Sequence, residues 1–261
     1  MNQTAAAGLL AGKNILITGV LTDDSLAFGV AREAQAHGAH VVLTGFGRGK
    51  RLTERTARKL DPVPDVLDLD VTDPSQVTAL IAELKESVGQ LDGILHAIGF
   101  APEACLGDDL FAASWEDVST AVHVSTYSLR TMADIGVELM PDGGSIVGLT
   151  FDATVAWPAY NWMGVAKAGM ESLNRYLAKE LGPQNIRCNL VAAGPMRTIA
   201  AKSIPGFAQF EDEWTKRAPL GWDVNDSSGV ARSTMALFTD LFSHTTGSII
   251  HVDGGYHAIG A

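Results

Sequence analysis

Short apolar runs alternate with longer amphipathic stretches along most of the chain. The runs at 14–18, 40–44, 64–69, 93–97, 144–149, 186–191 and 248–252 are mostly rich in Val, Ile and Leu and lack polar–apolar alternation. That pattern predicts strands covered on both faces. Segments 25–37, 75–88 and 115–139 lie between the early runs and read as helices. Strand and helix in alternation imply a parallel sheet with right-handed crossovers. The expected class is α/β: a doubly wound, seven-stranded parallel sheet with helices on both faces. Gly38 follows the first helix as a stop signal. Asp73 can cap a later helix with Pro74 in its first position. No repeat, low-complexity segment or linker interrupts the chain. Segment 196–226 departs from the pattern, with Trp and Phe clusters, two prolines and mixed charge. It reads as an insertion over a binding site.

A length of 261 residues suits one large core and is short for two enzyme domains. A net charge of −11 argues against a nucleic-acid surface, which needs a basic stripe. The two cysteines, Cys105 and Cys188, show neither a CxxC pair nor metal-ligand spacing. They read as reduced thiols, and no metal site is expected. Residues 1–10 lack the basic start of a signal peptide. No apolar run reaches the ~20 residues that span a bilayer. The chain therefore reads as soluble and cytoplasmic, without membrane insertion.

Candidate chemistry gathers where strands end. The first strand runs into Thr18-Gly19, and Ser25 and Ala27 stand where a helix begins. Only the first glycine of a G-x-G-x-x-G dinucleotide fingerprint is present. Gly19 still permits the tight turn, and Ala27 lets helix and strand approach. Ser25 offers a hydroxyl at a helix N-terminus, where free amides and the dipole favour a pyrophosphate. An ordinary strand–turn–helix with a serine cap would look the same. Further pieces follow other strands: Thr44-Gly45-Phe46, Asp70-Val71, Ala97-Ile98-Gly99 and Gly194-Pro195. All fall at carboxyl ends, where open α/β sheets bind ligands. The second strand lacks the acidic residue that pairs with the ribose of NAD, and Arg48, Lys50 and Arg51 follow it. These three suit either the 2′-phosphate of NADP or a solvated helix start.

Tyr160 and Lys167 carry the reaction chemistry. Seven residues make about two helical turns, so the pair would share a face. A phenol can donate to a developing oxyanion. An ammonium can hold ribose hydroxyls and favour the reactive state of that phenol.

Together these residues resemble the short-chain dehydrogenase/reductase superfamily over nearly the whole chain. More narrowly, the chain is similar to enoyl-acyl-carrier-protein reductases of the FabI and InhA type. Ordinary members of the superfamily carry Tyr-x3-Lys, and here Gly164 stands at that fourth place. Tyr-x6-Lys matches the enoyl-reductase spacing. The turn Gly19…Ser25…Ala27, Ala193-Gly194-Pro195 with Arg197-Thr198, and the stretch 246–255 match too. PAYNWM at 158–163 and NLVAAGP at 189–195 look like the InhA branch.

The resemblance implies a single Rossmann-type domain over 1–261, with a substrate-binding loop at about 196–220. It implies that Gly19, Ser25, Leu26, Asp70, Val71, Ile98, Gly99, Lys167, Gly194 and Thr198 contact the cofactor, with Phe46 against adenine. The cofactor is NADH, with NADPH possible. Tyr160 binds the thioester carbonyl, Phe151 lies beside the nicotinamide, and Met163 and Met196 line the acyl pocket. The reaction is hydride transfer to the β-carbon of a trans-2-enoyl thioester, bound to acyl carrier protein or coenzyme A, in fatty acid biosynthesis. A homotetramer is also implied. Thr150 replaces an acidic residue of the InhA branch, and its hydroxyl keeps a ketone-reducing reading open. The loop, shorter than in that branch, suggests short to medium acyl chains. Phe207, Phe210 and Trp214 on it suit either pocket lining or core anchoring. Two other readings remain: a paralogue acting on a carrier-bound chain in a specialised pathway, or a catalytically silent dinucleotide sensor.

Overall fold

The computed structural model describes residues 8–260. Seven strands form one sheet: β1 (Asn14–Ile17), β2 (His40–Gly45), β3 (Val66–Asp68), β4 (Gly93–His96), β5 (Gly144–Thr150), β6 (Ile186–Ala193) and β7 (Ile249–Val252). Their order is β3-β2-β1-β4-β5-β6-β7, and every pairing is parallel. The expected fold class is therefore observed, and all seven apolar runs hold a strand. The lack of alternation has a direct cause. Ile15 and Ile17 enter one core cluster while Leu16 between them enters the other. Ile94 and Leu95, Ile146 and Val147, and Leu190 and Val191 divide in the same way. Both faces are covered, so neighbouring positions are apolar alike.

On one face lie α1 (Leu26–Ala36) and α8 (Ser228–Ala236). On the other lie α3 (Pro74–Ser87), α5 (Ser128–Leu139) and α6 (Asn161–Leu181). Asp73 caps α3 by accepting from the Ser75 amide at 2.8 Å, and Pro74 takes the first turn. Gly38 leaves α1 at φ +89°, a left-handed stop that suits glycine.

Segment 115–139, expected as one helix, is broken. It comprises α4 (Trp115–Val122), a π-turn over His123–Tyr127, and α5. Polar side chains bind outside the helical ladder here. The Ser125 hydroxyl donates to the Phe100 carbonyl at 2.8 Å and accepts from the Phe100 amide at 2.9 Å. Thr126 donates to the Ala166 carbonyl at 2.6 Å. Widened turns of this kind often mark functional sites.

The sheet order reverses between β1 and β4, and the Thr18 hydroxyl locks that junction. It donates to the Leu95 carbonyl at 2.9 Å and accepts from the Ala97 amide at 3.1 Å. Gly19 follows at φ +82°, and a β-carbon there would lie 2.0 Å from the Ala97 oxygen. The next turn is held by α2 (Gly47–Ala57), whose Thr53 and Thr56 hydroxyls donate to the carbonyls of Val20 and Leu21. Among the described residues no helix is long and apolar enough to cross a membrane. Most of the N-terminal stretch read as no signal peptide, residues 1–7, lies outside the described residues.

Candidate active site

The candidate residues all reach the carboxyl edge of the sheet. Ser25 directly precedes α1, as expected, but its hydroxyl faces backwards. It accepts from the amides of Leu21 and Thr22 at 3.2 and 3.1 Å. Ser25 therefore shapes the turn, and α1 begins without a side-chain cap. The half-buried Leu26 opens the helix. In the same turn the Thr22 hydroxyl oxygen is buried without a partner among the described residues. Uncapped first-turn amides and an orphaned hydroxyl beside a switch point fit a pyrophosphate-bearing dinucleotide.

Phe46 is 55% exposed where β2 meets α2, so one ring face is open to a ligand. Beside it is a cleft lined by Gly47, Arg48 and Arg51. Lys50 is engaged elsewhere, paired with Asp68 at 2.6 Å. The Asp70 carboxylate is partly engaged by its own turn. It accepts from the Thr72 amide and hydroxyl at 2.9 and 2.7 Å, while the Asp70 amide donates to Gln76. Val71 is buried.

The three glycines differ in why they are glycines. At Gly194 a β-carbon would lie 2.7 Å from the Trp222 ring and 2.9 Å from the Trp214 indole nitrogen, so aromatic packing excludes one. At Gly19 the backbone excludes one. At Gly99, next to Ile98, the nearest atoms would be the Ser125 hydroxyl at 3.8 Å and the Lys167 ammonium at 3.9 Å. Nothing among the described residues demands glycine there. Close approach by a bound molecule would.

Tyr160 and Lys167 both belong to the start of α6, though not as two positions inside one helix. Tyr160 is the residue before α6, flanked by Ala159 at φ +57° and Asn161 at φ +48°. The Asn161 side-chain Nδ2 holds this bend by donating to the carbonyls of Gly107 and Asp109 at 3.1 and 3.0 Å. Both side chains are buried, Tyr160 at 7% and Lys167 at 8% exposure. The Tyr160 ring packs on Phe151, centroids 5.3 Å apart. Its hydroxyl makes no hydrogen bond among the described residues. Burial and, secondarily, the charge of Glu171 hold the phenol above its ordinary pKa, so it is a protonated donor. Lys167 donates to the Leu149 carbonyl at 2.9 Å. Burial pulls its pKa down to about 8, against an upward pull from Glu171.

Two neighbours were not singled out from sequence. Glu171 follows Lys167 by one helical turn, a spacing that places both on one face and was legible in the sequence. Its carboxylate accepts from the Ala153 amide at 3.1 Å and, at 3.4 Å, from the Thr150 hydroxyl. The Thr150 hydroxyl also lies 3.3 Å from the Phe151 carbonyl, so its hydrogen-bond contacts are with the protein's own acceptors. His96 is fully buried at the end of β4, 2.7 Å from the Ser128 hydroxyl. Burial, then the Lys167 charge, holds its pKa near 3, so it is neutral.

The insertion folds over this edge as α7 (Phe207–Arg217). Phe210 and Trp214 are buried, and their rings lie 5.8 and 5.7 Å from Phe151. Trp157 completes the cluster, and Tyr256 stacks on Trp214 at 3.8 Å. The anchoring role thus holds for Phe210 and Trp214. Met163 lies half-buried in the first turn of α6, and its amide donates to the Tyr160 carbonyl at 3.0 Å. Met196 is buried just after β6, and the Thr198 hydroxyl starts the loop by accepting from the Ala201 amide. Cys105 and Cys188 are buried free thiols, their pKa values raised by burial.

Comparison with known proteins identifies the family. A family model described as "Enoyl-(Acyl carrier protein) reductase" matches residues 19–257. The chain is 44% identical to the enoyl-[acyl-carrier-protein] reductase [NADH] of Mycolicibacterium smegmatis, covering 95% of this chain and 97% of that one. It is 40% identical to the NADH-named FabI of Synechocystis, over 96% and 98% of the two chains. It is 39% identical to the NADPH-named FabI of Staphylococcus aureus, again over 96% and 98%.

Proposed function

Because this chain belongs to the enoyl-acyl-carrier-protein reductase family, we propose that it reduces the double bond of a trans-2-enoyl thioester held on acyl carrier protein or coenzyme A. The observation that carries this reading is the buried pair at the start of α6: a protonated phenol without a hydrogen-bond partner among the described residues, and a buried, partly desolvated ammonium two turns on. When bound, the reduced nicotinamide supplies hydride to the β-carbon. Tyr160 donates to the thioester oxygen and stabilises the charge that gathers there as the enolate forms. Lys167 holds the ribose hydroxyls. Gly19, Ser25 and Leu26 shape the turn that presents free amides to the pyrophosphate. Phe46 covers adenine beside Asp70 and Val71, Ile98 and Gly99 allow close approach, and Gly194 and Thr198 close the far side. Phe151 lies beside the nicotinamide, and Met163 and Met196 border the acyl chain.

NADH is the expected coenzyme, and the relatives named for either coenzyme keep NADPH open. Arg48 and Arg51 at their cleft support acceptance of the 2′-phosphate. The substrate-binding loop at about 196–220, shorter than in the InhA branch, favours short to medium chains. Assembly into a cytoplasmic homotetramer belongs to the same proposal. The exposed Tyr127, Val137, Val165 and Tyr176 on and around α5 and α6 support an apolar contact. The deciding experiment is a matrix of NADH and NADPH against enoyl and keto thioesters of increasing chain length. Reduction of enoyl but not keto substrates is expected. Tight cofactor binding without turnover of any substrate would favour a sensor instead.

A further inference from the structure

Glu171 presents a physical puzzle. It is 6% exposed, and burying a carboxylate is costly. Its two hydrogen bonds, from the Ala153 amide and the Thr150 hydroxyl, would be served equally by the neutral carbonyl of a glutamine. Its negative charge therefore acts on something else. One turn back on the same face is Lys167, an ammonium buried almost as deeply. The two form no ion pair among the described residues, so they interact through space. In a weakly polar interior that attraction remains substantial.

We propose that Glu171 is a positioning residue that keeps Lys167 protonated inside the closed site while fastening the connection bearing Phe151 and Tyr160 to α6. The hydrogen bond to Ala153 lies two residues after Phe151, on the connection that leads to Tyr160, so the carboxylate ties that connection to α6. The other charged or titratable groups facing this cluster do not replace it. His96 on β4 is neutral, its own pKa held down by burial and by the Lys167 charge, so it supplies no charge that could stand in for Glu171. Tyr160 is neutral. Asp152 on the β5–α6 connection and Arg175, one turn further along α6, bear on Glu171 in opposite senses.

This inference rests on Lys167 holding the cofactor, and its test separates the two claims. Lys167 is titrated by NMR in cofactor-free wild type, E171Q and E171D, and NADH affinity is measured from pH 6 to 9. The expected wild-type midpoint is about 8. In E171Q it should fall by about one unit, the scale of one nearby charge at an effective dielectric near 20. NADH binding should then weaken about fivefold at pH 8 and hardly at all at pH 6. E171D, which retains the charge, should hold the wild-type midpoint. An unmoved midpoint in E171Q, or an equal loss of affinity at every pH, overturns the proposal. If E171Q does not fold, the folded proteins decide: a wild-type midpoint in the ordinary lysine range, or a lowered one in E171D, overturns it. A wild type that titrates as expected but binds no NADH instead overturns the assigned function.

Discussion

Replacing Tyr160 with phenylalanine separates fold from function. The ring fills its place against Phe151 in either form, centroids 5.3 Å apart in the native protein. The hydroxyl forms no hydrogen bond among the described residues, so its removal breaks none. Tyr160→Phe should therefore be about as stable as wild type. Activity should fall. A hydrogen bond to a charged group contributes about 1.5–3 kcal/mol, and this one strengthens as the enolate forms. At roughly 1.4 kcal/mol per factor of ten, kcat should fall about 10- to 150-fold, with NADH affinity nearly unchanged. Thermal melts and steady-state consumption of NADH with an enoyl thioester measure the two halves. A variant that loses several degrees in Tm, or keeps full kcat, would show that Tyr160 is a packing residue and refute the reasoning.

Other outcomes follow from the same site. Lys167 has a lower pKa folded than unfolded, so its burial penalty is full below about pH 8 and fades as pH rises towards the unfolded value. Lys167→Met should thus melt higher than wild type near pH 7, bind NADH more weakly, and lose its stability advantage in alkaline melts. Gly19→Ala meets both a positive φ and a backbone oxygen 2.0 Å away, and should lose about 2 kcal/mol or more by urea titration. Gly99→Ala finds only ordinary contacts, so it should melt like wild type while binding NADH more weakly; equal stability losses in the two would count against Gly99 as a ligand position. Trp214→Ala empties a fully packed place between Phe151, Phe210 and Tyr256, and should cost about 3–5 kcal/mol in the same assay.

Much was legible in the sequence because it is local. A strand buried on both faces must be a continuous apolar run, whatever covers it, so Leu16 between Ile15 and Ile17 announces its own surroundings. Asp73-Pro74 carries its helix start within two residues. The spacing of Tyr160 and Lys167, with Gly164 between, carries the family. What the tertiary structure decided depends on contacts far apart in the chain. The Ser25 hydroxyl had two possible uses, and the turn it must brace selected the backward one. The helix expected over 115–139 is interrupted by a π-turn where the hydroxyls of Ser125 and Thr126 bond to the distant carbonyls of Phe100 and Ala166. Trp214 becomes a core anchor only where Phe151 and Tyr256 meet it. Above all, sequence can name a lysine but cannot say how much water it keeps. Burial, and a carboxylate one turn away, set the state of Lys167, and both are properties of the folded interior.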